Sequence, residues 1–169
     1  MDTEHPYPWL KKQVRSVGSY QRDSREGTDL SRSNRKGRVD LVTEVDQESE
    51  RRLVNTIRNH HPEDGILAEE NIQESTDNDR EWIIDPLDGT TNYVQNHPFY
   101  GISVALREDD RMTHATIYFP ELDDFYRASR SQGAYKNGHP ISVSSTREPM
   151  ESFLATGFAD LRSEDADLR

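Results

Sequence analysis

The apolar residues near the N-terminus form a weak helical pattern that is followed by a long polar stretch. Four of them recur at roughly helical spacing within residues 7–20: Trp9, Leu10, Val14 and Val17. The run from Ser19 to Arg38 is polar and arginine-rich, and it has almost no apolar periodicity. We therefore predict a weak helix that ends near Gly18, followed by a loop or a disordered stretch.

A second, clearer helix is predicted in the segment that begins at Val39. Its buried stripe consists of three apolar residues at helical spacing: Leu53, Val54 and Ile57. The sequence His60-His61-Pro62 marks its end, because proline does not continue a helix. Thr43 and Asp46 are both of residue types that cap helix N-termini, so either of them is a candidate for the first turn.

Short apolar or alternating runs after this helix predict a sheet. The candidate strands lie at residues 65–68, 82–84, 99–106, 112–119, 125–129, 133–138, 141–143 and 153–155. Acidic pairs and an Asn137-Gly138 dipeptide lie between several of them, as is typical of hairpin connections. The pattern predicts an α+β fold with a predominantly antiparallel sheet flanked by helices.

The distribution of large apolar residues indicates which part of the chain can form a core. Leu, Ile, Val and Phe number 33 of 169 residues, and 27 of these lie within residues 39–158. We expect residues 1–38 to be poorly ordered or weakly helical and residues 39–158 to form the folded domain. Residues 159–169 form a charged tail whose sequence predicts neither a strand nor a closing helix. We expect a truncation point there.

The composition restricts the classes of partner. A formal net charge of -11 repels nucleic-acid backbones and anionic membranes, and it is compatible with metal cations. The chain has no cysteine, which excludes disulfides, thiolate zinc sites and a cysteine nucleophile. No apolar export signal or membrane-spanning run is visible, so we expect a cytoplasmic protein. The dominance of arginine among its basic residues leads to the hypothesis of a high-salt cytoplasm.

The most informative motif is a turn with two carboxylates three residues apart, Asp85-Pro86-Leu87-Asp88-Gly89, at the end of an apolar strand. Magnesium prefers carboxylate and carbonyl oxygens together with water and phosphate. Asp85, the Leu87 carbonyl and Asp88 can supply such oxygens from one turn. Backbone N–H groups near Gly89 and Thr90 could then face a phosphate. The alternative is a turn in which the aspartates only cap backbone groups.

Three motifs in order along the chain resemble those of the inositol monophosphatase family. They are Asp40 to Asp46, Ala68-Glu69-Glu70, and the eleven-residue run from Trp82 to Asn92. The resemblance extends from about Val39 to Phe158. It implies the N-terminal half of the layered α/β/α/β/α sugar-phosphatase fold. The segment Thr91-Asn92-Tyr93 is more similar to the inositol monophosphatase branch than to the nucleotide-phosphate branch.

The resemblance also implies roles for individual residues. The metal ligands would be Glu69, Asp85, the Leu87 carbonyl and Asp88. Asp46, Glu70 and Thr90 would act on the catalytic water, and Asp88, Gly89 and Thr90 would contact the substrate phosphate. Without the resemblance, Glu69-Glu70 is a solvated acidic pair and Asp46 is a helix cap.

The implied activity is Mg²⁺-dependent hydrolysis of a phosphate monoester of a small polyol or sugar, of the inositol monophosphate or fructose 1,6-bisphosphate type. The Trp-Asp-x-Ala motif of the family does not occur in the sequence. We therefore expect a truncated or split enzyme that pairs as a homodimer or with a complementing C-terminal domain. The alternative is a catalytically inactive pseudo-phosphatase fragment that binds metal or phosphate.

Overall fold

A computed structural model describes residues 6–26, 35–68, 73–74 and 78–154, and it describes the side chains of all of these except residues 35–43 and 73–74. Its α-helices are α1 (Pro8–Glu26), α2 (Arg35–His60) and α3 (Thr90–Val94). Its strands are β1 (Gly65–Ala68), β2 (Gln73–Glu74), β3 (Arg80–Asp88), β4 (Gly101–Glu108), β5 (Arg111–Phe119), β6 (Asp124–Ser129), β7 (Gly133–Lys136) and β8 (His139–Ile141). Within these ranges, no helix is both long and apolar enough to cross a membrane.

The strands form one sheet with the order β2-β1-β3-β4-β5-β6-β7-β8. Strands β1 and β3 are parallel, and every other neighbouring pair is antiparallel. From β3 onward, strands that follow each other in the chain are neighbours in the sheet. Helix α3 lies in the connection from β3 to β4, and the later strands are joined by short turns, which favour antiparallel neighbours. The predicted α+β class, with a mostly antiparallel sheet and flanking helices, is confirmed.

One face of the sheet is covered by α1 and α2, and the main core lies between these two layers. The helices contribute Leu10, Val14, Val17, Leu53, Val54 and Ile57 to it. The sheet contributes Ile66, Ala68, Trp82, Ile84, Ile102, Val104, Leu106, Tyr118 and Phe125. Alternate residues of each strand therefore point toward the helices, as the two-residue period of a pleated strand requires.

Two predictions about the N-terminal region were wrong. Helix α1 continues through Ser19 to Glu26, and α2 begins at Arg35, although a loop or disordered stretch was predicted from Ser19 to Arg38. Residues 27–34 of that stretch lie outside the described residues, as do Ala155 of the last predicted strand and the predicted tail at residues 159–169. Thr43 and Asp46 lie inside α2, so neither caps it. Arginine, lysine and glutamate favour helices without producing an apolar stripe, and burial of Gly18 and Gln21 stabilises the last turns of α1 through tertiary contacts.

The strand predictions differ from the structure mainly at three places. Strand β3 continues through Pro86 to Asp88, where a turn was predicted from Pro86 onward. The two-residue strand β2 was not predicted, since so short a polar segment has no readable pattern. Phe153 and Leu154 do not form the predicted strand; they are 98% and 77% exposed, so packing does not favour an extended pairing there.

An aromatic cluster fixes the start of α1 to the end of α2 and to the sheet. The Tyr7 ring makes edge contacts with Trp82 and His114, with centroid distances of 5.3 and 5.2 Å. Trp9 stacks on His60 at 4.4 Å. The His114 side chain is buried between Ser129 Oγ and Thr116 Oγ1, and burial together with nearby Arg127 lowers its pKa to about 4. His114 is therefore neutral in the folded chain near neutral pH.

Substitution of Gly18 by alanine should destabilise the fold. A Cβ at this position would lie 2.5 Å from Tyr118 Cε1 and 2.9 Å from Pro120 Cγ. Alanine favours a helix over glycine by about 1 kcal/mol, and overpacking costs about 1–3 kcal/mol. We therefore expect a net loss of up to about 2 kcal/mol in the free energy of unfolding measured in urea. Ser16→Ala, on an exposed position of α1, is the control for helix propensity, and equal stabilisation by both changes would contradict the close contact.

Acid should destabilise the fold through His114. The pKa of its imidazole is about 4 in the folded chain and 6.5 when unperturbed, so the unfolded chain binds the proton more tightly. The free energy of unfolding should be unaffected above pH 6.5 and fall toward pH 4, by at most about 3 kcal/mol. His114→Asn should reduce this loss in unfolding experiments across that range, whereas His139→Asn on an exposed strand should not. An unchanged pH dependence in His114→Asn would contradict the assignment.

Candidate metal centre

The candidate metal centre begins at a bulge in β3, a central strand of the sheet. Asp85 pairs with Ser103 of β4, but the next pair is Asp88 with Gly101. Two residues of β3, Pro86 and Leu87, therefore stand opposite one residue of β4. A bulge bends its strand and changes the direction of the side chains beside it. Proline suits this position because it has no N–H to donate to a ladder. The chain from Asp85 to Thr90 is hereafter called the 85–90 turn.

Hydrogen bonds between residues close in sequence stabilise the 85–90 turn. The Leu87 backbone N–H donates to Asp85 Oδ1 at 3.2 Å, and the Thr90 hydroxyl donates to the Leu87 carbonyl oxygen at 3.2 Å. The Leu87 side chain is buried, whereas Asp88 is exposed. The two carboxylates and the Leu87 carbonyl thus come from four consecutive residues, with Leu87 as the anchor.

Gly89 ends the turn in a conformation that favours glycine. Its φ is 86°, and a Cβ there would approach the Phe99 carbonyl oxygen to 3.0 Å. The Asn92 amide donates to the same carbonyl at 2.6 Å. The short helix α3 starts at Thr90, one residue after the glycine. The turn and the chain that returns into β4 are therefore held close together.

A small buried cluster supports the turn from below, and it consists of Val45, Leu87, Tyr93 and Tyr100. The rings of Tyr93 and Tyr100 meet edge to face at 5.0 Å. The Tyr93 hydroxyl donates to the Gln21 carbonyl oxygen at 2.8 Å, and the Tyr100 hydroxyl donates to Glu121. Burial raises the pKa of both tyrosines, so both hydroxyls remain donors at neutral pH.

Asp46 reaches this region from α2. It is buried and directly follows Val45, a member of the cluster under the turn. Ser49, one helical turn further on, accepts a hydrogen bond from the buried Gln21 amide at 3.2 Å. The turn of α2 that carries Asp46 therefore packs against the same cluster as Leu87.

The remaining predicted site residues, Glu69 and Glu70, lie outside the described residues. Strand β1 is described to Ala68, which pairs with Ile84 directly before Asp85. In the part of the chain that the structure describes, no group of three or more His, Asp or Glu side chains could hold a metal ion. The described donor set is thus two carboxylates and one carbonyl, all of them oxygens of the kind that Mg²⁺ prefers.

Two residues that support the site were not predicted from the sequence. Asn92 connects α3 to the Phe99 carbonyl, and Gln21 connects α1 to the Pro86 carbonyl at 2.8 Å. Gln21 does carry a sequence signal, because it continues the buried stripe of Val14 and Val17 at helical spacing and is polar. A polar residue in an apolar stripe indicates a specific hydrogen-bond partner inside the fold.

Comparison with known proteins places most of the chain in one group. The model of the inositol monophosphatase family matches residues 8–167. The Nus factor SuhB of Escherichia coli is 38% identical over 146 residues, which are 86% of this chain and 55% of that protein. The inositol monophosphatase of Dictyostelium discoideum is 36% identical over 132 residues, or 76% of this chain and 48% of that protein.

The fold is shared with solved structures as well. The crystal structure of the extragenic suppressor protein suhB from Bartonella henselae has a TM-score of 0.73 and 26% identity, and the match covers 83% of this chain and 54% of that chain. The chain spans about half the length of the relatives that it matches.

Substitution of Gly89 by alanine should cost more stability than the same change at Gly133. Both glycines have a left-handed backbone, with φ of 86° and 81°, but nothing lies within 4 Å of a Cβ at Gly133. Left-handed strain alone should cost about 1–2 kcal/mol at each position. The contact with the Phe99 carbonyl should add about 1 kcal/mol or more at Gly89. Chemical denaturation measures both, and equal losses would show that the turn is not closely packed on Phe99.

Proposed function

The chain belongs to the inositol monophosphatase family, and from this premise we propose that it provides the metal-binding half of a Mg²⁺-dependent phosphatase. The substrate class would be a phosphate monoester of a small polyol or sugar, such as inositol monophosphate or fructose 1,6-bisphosphate. The observation that carries the proposal is the 85–90 turn. It presents Asp85, the Leu87 carbonyl and Asp88 from one bulge, beside a glycine that permits close approach.

The donor set fits a hard divalent cation. Asp85, the Leu87 carbonyl and Asp88 would hold Mg²⁺, together with Glu69, which follows Ala68 in the chain. When bound, Mg²⁺ would neutralise charge on the phosphate and make a nearby water more acidic. The Leu87 N–H would keep one oxygen of Asp85 oriented, because it already donates to that carboxylate.

Thr90 and Asp46 would orient the attacking water, and Glu70 would assist them. The Thr90 hydroxyl donates its hydrogen to the Leu87 carbonyl. Its oxygen can therefore accept a hydrogen bond from water. Asp46 supplies a buried carboxylate on the packed face of α2, and such a group accepts a proton or a hydrogen bond from water.

The backbone at Gly89 and Thr90, with Asp88, would contact the phosphate. Gly89 supplies the left-handed backbone that leads directly into α3, and the first N–H groups of a helix can donate to an anion. In the reaction, the water oxygen forms a bond to phosphorus while the bond between phosphorus and the alcohol oxygen breaks. The water loses a proton and the leaving alcohol gains one, so the products are inorganic phosphate and the free polyol or sugar.

A second candidate function takes account of a relative whose name does not refer to hydrolysis, the Nus factor SuhB of Escherichia coli. For this chain the alternative that we propose is a module that binds a divalent metal or a phosphorylated ligand without turnover. Binding without Mg²⁺-dependent phosphate release would favour this second function.

Asp88→Asn should reduce Mg²⁺-dependent phosphate release by about 100-fold or more, since loss of a ligand should exceed the effect of losing a group that orients one. Phosphate release is measured from inositol 1-phosphate, fructose 1,6-bisphosphate and 3′-phosphoadenosine 5′-phosphate, at low and high salt. Asp110→Asn is the matched control, because Asp110 is also exposed and lies on the β4–β5 hairpin, away from the bulge.

Two results would contradict the enzymatic proposal for this chain. One is phosphate release by the wild-type chain that does not depend on Mg²⁺. The other is Mg²⁺-dependent release that Asp88→Asn and Asp110→Asn leave equally intact. If the chain binds the metal but releases no phosphate, the second candidate function is favoured.

A further inference from the structure

Gln21 of α1 contacts the 85–90 turn from inside the core, and we propose that it is a positioning residue for the metal ligands. The inference rests on the proposed function, because it assigns Gln21 a role in holding the groups that would bind Mg²⁺. Gln21 is fully buried in α1 and is remote in sequence from the turn that it contacts. Its role is therefore visible only in the folded chain.

The Gln21 amide controls the orientation of one peptide plane in the bulge. Gln21 Nε2 donates to the Pro86 carbonyl oxygen at 2.8 Å. The N–H on the other side of the same peptide unit belongs to Leu87, and it donates to Asp85 Oδ1 at 3.2 Å. A peptide unit is rigid and planar, so fixing its oxygen also fixes the direction of its N–H. Gln21 thereby orients the Asp85 carboxylate through a single intervening group.

The same residue connects the turn to the two neighbouring helices. Gln21 Nε2 also donates to Ser49 Oγ of α2 at 3.2 Å, one helical turn after Asp46. The backbone carbonyl oxygen of Gln21 accepts a hydrogen bond from the Tyr93 hydroxyl of α3 at 2.8 Å. These contacts link Gln21 to both elements that flank the turn, α2 with its buried Asp46 and α3 directly after Gly89.

Packing alone does not account for a glutamine at this position. Leu10, Val14 and Val17 make the rest of the buried stripe apolar. The second amide atom, Gln21 Oε1, is buried and accepts no hydrogen bond from the described residues. An unsatisfied buried acceptor is unfavourable for stability. An apolar side chain of similar size would avoid that penalty, but it could not donate a hydrogen bond to the Pro86 carbonyl oxygen.

The test is the substitution Gln21→Met in the full 169-residue chain, which keeps the length of the side chain and removes its hydrogen bonds. The matched control is Gln13→Met, since Gln13 also lies on α1 and donates to a backbone carbonyl of α2, that of Arg52 at 3.2 Å. Affinity for Mn²⁺ alone, as a magnetic substitute for Mg²⁺, is measured by calorimetry and electron paramagnetic resonance. Melting temperature and amide exchange at Leu87 and Tyr93 are recorded in parallel.

We expect Gln21→Met to weaken Mn²⁺ binding by roughly tenfold, the lower end for groups that orient metal ligands. Exchange at the Leu87 amide should become faster, while the melting temperature stays near that of the wild type. Gln13→Met should change neither the affinity nor the exchange at Leu87. Equal Mn²⁺ affinity in the two variants would overturn the positioning role and leave the proposed function intact.

Two further outcomes are decisive. If Gln21→Met does not fold, Gln21→Asn replaces it, because the shorter amide should not reach the Pro86 carbonyl, and it is compared with Gln13→Asn. Weaker Mn²⁺ binding in Gln21→Asn alone would support the role, and equal binding would overturn it. A wild-type chain that binds no Mn²⁺ would overturn both the metal centre and the positioning role of Gln21. The measurement on the wild-type chain alone distinguishes this outcome from the others.

Discussion

The packing of α1 on the sheet is the contact on which both the core and the candidate metal centre depend. Gly18 lets the helix approach Tyr118 so closely that a Cβ would overlap its ring. The helix turns before Gly18 bury Val14 and Val17 in the main core, and the turn after it brings Gln21 to the bulge in β3. A change that moves α1 away from the sheet would therefore affect the core and the site together, although no residue of α1 is among the proposed metal ligands.

The bulge in β3 is the second element of this arrangement, because it lies between Asp85 and Asp88, two of the proposed metal ligands. Up to Asp85 the strand pairs regularly with β4, and the pairing resumes at Asp88. The interruption turns backbone oxygens and carboxylates away from the ladder, and groups from outside the sheet take the place of the lost strand contacts. Gln21 bonds to Pro86, and the Thr90 hydroxyl bonds to the Leu87 carbonyl. Groups from α1 and from the start of α3 thus converge on a break in the sheet.

The sequence predicted the parts of this structure that are encoded locally. Strands β3 to β6 and the stripe of α2 follow from periodicity. The candidate ligands Asp85, Leu87 and Asp88 could be proposed together because they lie within four residues of one another. The continuation of α1 beyond Gly18 was not predictable in this way. Its last turns are polar on the surface and are stabilised by contacts with residues far along the chain, such as Pro86 and Tyr118. For the same reason, the partners of Gln21 and Asn92 could not be predicted, since they are backbone carbonyl groups, which the sequence does not distinguish.

Three local features are unfavourable if each is considered alone, and all three meet at the 85–90 turn. Pro86 lies in a central strand, where proline is normally excluded. Gly89 has a left-handed backbone. Gln21 places an amide in an apolar stripe, and the buried oxygen of that amide accepts no hydrogen bond within the part of the chain that the structure describes. In a chain whose residues otherwise suit their local structure, several unfavourable features at one place are expected at a functional site. The three exceptions have a common explanation: Pro86 permits the bulge, Gly89 permits close approach to the main chain, and Gln21 holds the peptide between them. This coincidence argues that the turn is shaped for a ligand at some cost to stability.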